Sequence, residues 1–238
     1  MKVLVFDLFG DYAHFRKYFT TTSPLTFSFP PPTAISGILG AIYGAKKDEY
    51  LDIFGYDKCK FALQIINPIK KVRMGLNLIN TKDNKKLILI KKKGHEPRTQ
   101  IRTEFVKNPR YRIYFNHPDE KIYNKLKGIL EERKTFYTIS LGLSELLADY
   151  QYIGEFDATH LQNQTENISS VFTQSNFLGF SKIDENKKIL KDKMPIKIDY
   201  SRVVDIYEDV IYESDGKPIE VKLKNLFKLS DGVSIAFF

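Results

Sequence analysis

The first 44 residues alternate between apolar runs and turn-forming residues in a pattern that predicts a strand followed by a helix. Residues 1–9 are mostly apolar and branched, as in a buried strand, and Gly10 marks a turn after them. Three prolines at 30–32 hold the chain extended, and Thr33 is suited to cap a helix that ends at Gly44. One apolar face of that helix is predicted to contain Ile35, Ile38, Leu39 and Ile42.

Two glycines interrupt this predicted helix, at Gly37 and Gly40. Each should cost about 0.5–1 kcal/mol relative to alanine, so each needs a compensating reason. One reason is close packing against another element. The other is close approach of a phosphate to the positive N-terminal end of the helix. Packing is the favoured explanation for Gly40, and both explanations stay open for Gly37.

The pattern continues with strands and one further long helix. Residues 61–66, 110–115 and 150–156 have strand periodicity, and a helix is predicted from about 119 to 134. The resulting order, β-α-β-β-α-β, is that of a ferredoxin-like domain. We therefore predict an α+β fold with a ferredoxin-like (RRM-type) domain over 1–158 and a small β-rich C-terminal subdomain over 159–238. Finer predictions are a short helix over 144–149 and a polar loop over 160–170.

Charge is distributed unevenly along the chain. The 238 residues carry a formal net charge of +8. Residues 1–58 are balanced, residues 59–117 have a net charge of +12, and residues 118–238 have a net charge of −4. An excess this local favours an anionic polymer as partner, although a charge run is more often a solvated face.

The basic excess lies mostly in a long insertion between two predicted strands. This insertion covers residues from about 75 to 108 and is too long for a simple hairpin loop. A protruding basic β-hairpin arm is therefore predicted there. The strand that follows should present Arg110 and Arg112 on one face, with Tyr111 and Phe115 packed in the core from the other. The basic residues expected to contact nucleic acid in this region are Lys91, Lys92, Lys93, Arg98, Arg102, Arg110 and Arg112.

Other chemistry is poorly represented in the sequence. None of the four histidines has a histidine or cysteine at metal-site spacing, and no phosphate-binding or dinucleotide motif is present. We therefore predict no metal, cofactor or catalytic residue. No apolar run approaches the ~20 residues that span a bilayer, and Cys59 is the only cysteine, so a cytoplasmic protein without membrane contact is expected.

Two motifs resemble those of a known family. The first contains Leu8-Phe9-Gly10, Ala13, Phe15-Arg16, Pro31-Pro32-Thr33, Gly37, Leu39-Gly40 and Gly44, and the second is Leu141-Gly142-Leu143-Ser144-Glu145. Together they resemble the Cas5 family of CRISPR proteins, a branch of the RAMP superfamily. The lysine-rich, tryptophan-free composition is similar to that of its type I-B members.

The resemblance implies a ferredoxin-like RAMP domain and a non-catalytic RNA-binding role. It implies a subunit of the Cascade surveillance complex that grips the 5′ handle of the crRNA and caps the row of backbone subunits. It also implies contact with the large subunit and, indirectly, with target DNA. On this basis Arg16, Lys17, Thr33 and Gly37 are expected to join the basic residues above as RNA contacts.

Two alternatives remain. The type I-C branch of the family is a metal-independent endoribonuclease that uses a tyrosine, a lysine and a histidine. Tyr43 and His117 stand near the tyrosine and histidine positions, but Asn116 replaces the lysine. Packing at a helix end and helix capping are the favoured explanations of Tyr43 and His117. The second alternative is an assembly subunit that binds little RNA by itself.

Overall fold

The structure is a computed structural model that describes residues 1–79, 97–182 and 185–238. These residues form a mixed α+β protein made mostly of strands, which confirms the predicted class. The helices are α1 (Pro32–Tyr43), α2 (Tyr50–Phe54) and α3 (Glu120–Glu131), and Gln174–Asn176 form a 3-10 turn. The strands are β1 (Lys2–Gly10), β2 (Tyr12–Ala13), β3 (Lys60–Ile65), β4 (Lys71–Ile79), β5 (Arg98–Lys107), β6 (Arg110–Asn116), β7 (Ala148–Ile168), β8 (Phe172–Thr173), β9 (Phe177–Phe180), β10 (Ile189–Ile198), β11 (Val204–Glu213), β12 (Ile219–Leu229) and β13 (Ser234–Ile235).

A seven-stranded sheet organises the molecule, with strand order β3-β6-β1-β7-β13-β12-β9. β1 lies antiparallel to both β6 and β7, and β3 lies antiparallel to β6. When β2, α2, β4 and β5 are left aside, β1, α1, β3, β6, α3 and β7 have the chain order β-α-β-β-α-β. Two three-stranded sheets, β2-β5-β4 and β10-β11-β8, complete the fold.

The two faces of β1 belong to two different cores. Leu4, Phe6 and Leu8 are buried in the main core together with residues of α1 and α3. Val3 and Val5 point to the opposite face of the sheet, where a second apolar cluster includes residues of β12 and β13. This alternation is the period of two expected for a strand covered on both sides.

β7 is longer than the sequence pattern indicates. It runs without interruption from Ala148 to Ile168, and its second half pairs with β12 from Ala158 to Ile168. The polar loop predicted over 160–170 is therefore wrong. Its side chains are polar because much of this half of the strand is exposed, while the backbone pairs with β12 along this half except at Asn163. The boundary predicted at 158 falls inside this strand.

Two local predictions are also corrected. Helix α1 begins at Pro32 with Pro31 at its N-cap, so Thr33 is not the cap. Proline suits the first helical position because its fixed φ is helical and its missing N–H needs no partner there. The short helix predicted over 144–149 is wrong, because Leu141 donates its N–H to the Leu146 carbonyl and the chain turns directly into β7.

Among the described residues, no helix has both the length and the apolar character needed to cross a membrane.

Candidate nucleic-acid interface

A cleft of about 520 Å³ lies where five segments meet. These segments are the loop over 14–27, the N-terminal end of α1, the paired strands β4 and β5 (the β4–β5 hairpin), the loop over 141–145 and Pro195 of β10. Parts of both sequence motifs that carry the family resemblance line the cleft. Its lining residues include Arg16, Pro31, Thr33, Leu76, Ile101, Gly142, Leu143 and Glu145.

The β4–β5 hairpin has one apolar face and one basic face. Antiparallel pairing places Leu76 opposite Ile101 and Gly75 opposite Arg102, so alternate pairs point to opposite sides. The apolar side contributes Leu76, Leu78, Ile101 and Thr103 to the cleft. The other side carries Lys71, Arg73, Arg98 and Arg102, of which Lys71 and Arg73 pair with Glu104.

A glycine fixes the floor of the cleft. Gly142 has φ +102°, a conformation that favours glycine, and a Cβ there would lie 1.9 Å from the carbonyl oxygen of His14. The His14 N–H donates to the Leu141 carbonyl at 2.9 Å. The glycine of the second motif is therefore required for the 141–145 loop to contact the 14–27 loop.

The His14 side chain connects this floor of the cleft to β5 of the hairpin. Its side chain is buried, and Nδ1 donates to the Glu104 carbonyl at 2.7 Å. Its ring packs on Phe105, with 5.5 Å between the ring centroids. Burial lowers the pKa of His14, because the charged imidazolium would lose its hydration there; the nearby Arg16 acts in the same direction.

The N-terminal end of α1 borders the cleft. The Ala34 and Ile35 N–H groups bond to the Pro31 carbonyl, and no acidic residue stands in the first turn to offset the positive end of the helix. A Cβ on Gly37 would meet nothing within 4 Å, so packing does not explain this glycine. On Gly40 it would lie 2.8 Å from Tyr50 Cβ, which confirms close packing of α1 on α2.

Arg16 and Lys17 are directed differently. Arg16 is exposed, lines the cleft, and donates from Nη2 to the Thr20 carbonyl at 2.8 Å. Lys17 pairs with Asp192 of β10 at 2.5 Å, and its ammonium lies 5.3 Å from the centre of the Phe27 ring. Lys17 is thus held by the protein itself and does not line the cleft.

Arg110 and Arg112 are also engaged inside the protein. Arg110 Nε donates to Asp7 Oδ2 at 2.9 Å, and Arg112 Nε donates to Asp7 Oδ1 at 2.7 Å. The Asp7 side chain is 2% exposed, whereas those of Arg110 and Arg112 are 33% and 29% exposed. The ion pair raises the pKa of Arg112. These arginines lie on β6, on the face opposite the main core. Tyr111 and Phe115 of the same strand are buried in the main core, as predicted.

The structure brings Arg16 and Thr33 into the cleft and places Gly37 further along the adjoining helix. Arg98 and Arg102 are exposed on the basic face of the hairpin. The predicted contacts Lys91, Lys92 and Lys93 lie outside the described residues. The apolar wall of the cleft, which is formed by Leu76, Ile101 and Leu143, was missed in the sequence analysis. For Leu76, the alternation of apolar and polar residues along β4 was a signal that could have indicated it.

His117 uses both ring nitrogens within the fold. Nε2 lies 3.0 Å from the Ile53 carbonyl, and Nδ1 accepts the Asp119 N–H at 3.0 Å. The side chain is 8% exposed. The preceding Asn116 donates its amide to the Lys2 carbonyl. This histidine therefore serves the turn before α3, whose N-cap is Asp119.

Tyr43 lies close to His117 but is separated from it by an aromatic ring. The Phe54 ring centroid is 5.3 Å from that of Tyr43 and 6.4 Å from that of His117. The Lys125 ammonium lies 3.8 Å from the centre of the Tyr43 ring, a cation–π contact. Tyr43 thus packs at the end of α1 with one cation beside it.

The described part of the chain contains no group of three or more histidine, cysteine, aspartate or glutamate side chains that could hold a metal ion. Cys59 is buried, and burial raises the pKa of its thiol to about 12. A thiol that resists ionisation in this way is a poor nucleophile.

Comparison with known proteins identifies the family. The family model of CRISPR-associated protein (Cas_Cas5) matches residues 3–210. A CRISPR protein from Archaeoglobus fulgidus has a similar crystal structure, with a TM-score of 0.59 and 13% identity over 99% of this chain and 98% of that one. A chain of a CRISPR RNA-guided surveillance complex is similar with a TM-score of 0.54 and 11% identity, over 92% and 91% of the two chains.

At these identities the two structures show a shared fold alone. No curated protein matches the sequence. The family model, in contrast, spans most of the chain and includes both motifs around the cleft. The chain therefore belongs to the Cas5 family of CRISPR-associated proteins.

Proposed function

We propose that this chain is a non-catalytic RNA-binding subunit of a type I Cascade complex that grips the 5′ handle of the crRNA. One observation carries the proposal. The hairpin lines a cleft with its apolar face and carries exposed arginines on its other face, and the cleft, which also contains Arg16 and Glu145, is bordered by the N-terminal end of α1, whose first turn has no acidic residue. Phosphates are attracted to such a helix end and to arginine, while apolar walls accept unstacked bases.

In this proposal the β-α-β-β-α-β unit is a ferredoxin-like RAMP domain, and the β4–β5 hairpin is the arm that covers the guide. The first contacts are Arg16, Thr33, Gly37, Arg98 and Arg102. The chain caps the row of backbone subunits, contacts the large subunit and meets target DNA only indirectly, in the cytoplasm. The type I-B assignment stays a prediction.

The test measures binding of the chain's own CRISPR repeat RNA over a range of salt concentrations. Arg98 and Arg102 are changed together to glutamine, and Arg133→Gln serves as control, because Arg133 is an exposed arginine that follows α3 and belongs neither to the hairpin nor to the cleft. We expect roughly tenfold weaker binding in the double variant and a salt slope that is shallower by about 1.4, since each lost phosphate contact removes ~0.7. Equal slopes in the double variant and the control would refute the role of the hairpin.

The endoribonuclease alternative has one observation in its favour, the Lys125 ammonium beside Tyr43. The engagement of both His117 nitrogens weighs against it. The repeat RNA is incubated with wild type and Tyr43→Phe in EDTA and run on native and denaturing gels. Intact, shifted RNA supports the binding subunit, whereas a single cut that Tyr43→Phe abolishes makes the chain an enzyme.

The assembly-subunit alternative predicts a third result in the same gels. Such a chain would neither shift nor cut free RNA, and RNA would be retained only when partner subunits are added.

A further inference from the structure

A second cleft, of about 570 Å³, shares no lining residue with the candidate interface. It is formed by the second half of β7, β12, the 3-10 turn Gln174–Asn176, the start of β3 and the C-terminal residues Phe237 and Phe238. Phe227, one of its lining residues, belongs to the apolar cluster on the sheet face opposite the main core. The cleft is therefore a separate surface feature of the fold.

Aromatic side chains form one wall of this cleft. The imidazole of His160 stacks on the ring of Phe227, with 4.8 Å between centroids and 25° between planes. Phe237 packs edge-on against the same phenyl ring at 4.9 Å. Phe227 is buried whereas His160 is exposed, so the imidazole forms the accessible layer of the stack.

Hydrogen bonds hold this platform in place. His160 Nε2 lies 3.0 Å from the side-chain oxygen of Asn225. Asn225 in turn exchanges two hydrogen bonds with Asn176, at 2.8 and 2.9 Å, which join β12 to the 3-10 turn. An aromatic surface fixed in this way loses little conformational freedom when a ligand stacks on it.

Two ammonium groups flank the platform. Lys60 Nζ lies 5.5 Å from the centre of the Phe227 ring, and Lys224 Nζ donates to the Ser175 carbonyl at 2.6 Å. Within the described ranges of the chain, no aspartate or glutamate lines the cleft. The neighbouring carboxylates are engaged elsewhere, since Asp57 pairs with Lys197 and Glu208 accepts the Ser175 N–H. The lining is thus positive and aromatic.

We infer that this cleft binds single-stranded nucleic acid, with one base stacked on His160 and its phosphates beside Lys60 and Lys224. Aromatic platforms flanked by cations bind single strands in this way, because each base offers a π-face and each nucleotide a charge. RNA and DNA share this chemistry. The inference does not rest on the proposed function, because no residue of the first cleft takes part.

The test uses fluorescein-labelled hexauridylate and hexathymidylate with the full chain, followed by fluorescence anisotropy. Lys60 and Lys224 are changed together to glutamine, and His160 is changed to alanine. Lys222→Gln is the matched control, because Lys222 is an exposed lysine of β12 outside the cleft. All four positions are exposed, so the variants should remain folded, which thermal unfolding checks.

We expect at least tenfold weaker binding in the double lysine variant, with a salt slope shallower by about 1.4. His160→Ala should weaken binding at least fivefold through lost stacking, and Lys222→Gln should remain within twofold. The probe that binds more tightly shows whether RNA or DNA is the preferred ligand of the cleft. Equal affinity of the double variant and Lys222→Gln for both probes would overturn the inference.

Titrating the hexamers with the Arg98→Gln, Arg102→Gln double variant separates the two proposals. This variant should leave the hexamer affinity unchanged, because both arginines lie outside the second cleft. If the arginine variant binds repeat RNA as tightly as wild type while the cleft variants still lose the hexamer, the proposed function fails and this inference stands. If the arginine variant loses the hexamer and the cleft variants do not, this inference fails.

Discussion

The carbonyl oxygen of His14 occupies the space that a side chain at Gly142 would need. The two residues lie 128 positions apart, and their contact joins the two sequence motifs into one cleft floor. The conformation of Gly142, with φ +102°, is one that other residues adopt only with strain. Steric fit therefore fixes both the identity and the position of this glycine.

Replacing Gly142 by alanine should destabilise the protein by about 3 kcal/mol or more, through the clash and the strained backbone together. Chemical denaturation measures the free energy of unfolding. Gly128→Ala is the matched control, because Gly128 lies inside α3 and a Cβ there meets nothing within 4 Å. The control should gain about 0.5–1 kcal/mol. A Gly142→Ala protein as stable as wild type would contradict the predicted clash with the His14 carbonyl oxygen.

The two glycines of α1 should respond in opposite directions. Gly40→Ala should cost about 1–3 kcal/mol, because the new methyl group would press on Tyr50. Gly37→Ala should gain about 0.5–1 kcal/mol, because its site is open.

The repeat-RNA titration adds a second readout at Gly37. If RNA approaches the helix there, the stabilised Gly37→Ala protein should bind RNA several-fold more weakly. Unchanged RNA affinity would remove Gly37 from the interface.

Changing Asp7 to asparagine should destabilise the protein by about 3 kcal/mol or more, because two arginines would lose a buried carboxylate. Glu49→Gln is a suitable comparison, since it breaks an exposed pair with Lys46 and should change stability by less than about 1 kcal/mol. Thermal and chemical unfolding of the two variants measure the difference. Similar small losses in both would show that the Asp7 pair contributes no more than a surface pair.

Stability should fall as the pH drops below about 6.5, the pKa of histidine in an unfolded chain. Burial lowers the pKa of His14 in the folded protein, so between the two pKa values only the unfolded chain is protonated. Proton uptake then favours unfolding, and the stabilisation is fully present above the unfolded value. Unfolding free energies at pH 5 and 7.5 measure this change for wild type and His14→Gln. The variant should lose less stability on acidification, and identical changes would rule out His14 as the source.

Several features could be predicted from the sequence because they depend on local pattern. Alternation along β6 placed Tyr111 and Phe115 in the core, and the structure buries both. The helical spacing of Ile35, Ile38, Leu39 and Ile42 gave α1 and its buried face. The cost of glycine in a helix pointed to close packing at Gly40, which Tyr50 provides.

What the chain determines by itself is therefore the type and order of its main elements, since hydrophobic periodicity and glycine or proline signals act over a few residues. Only the tertiary structure decided which charged side chains form ion pairs within the protein. Arg110 meets Asp7, and Lys17 meets Asp192, across separations of 103 and 175 residues that no local pattern records. The second half of β7 likewise became a strand only through pairing with β12, because a ladder hydrogen bond depends on the partner and not on side-chain polarity.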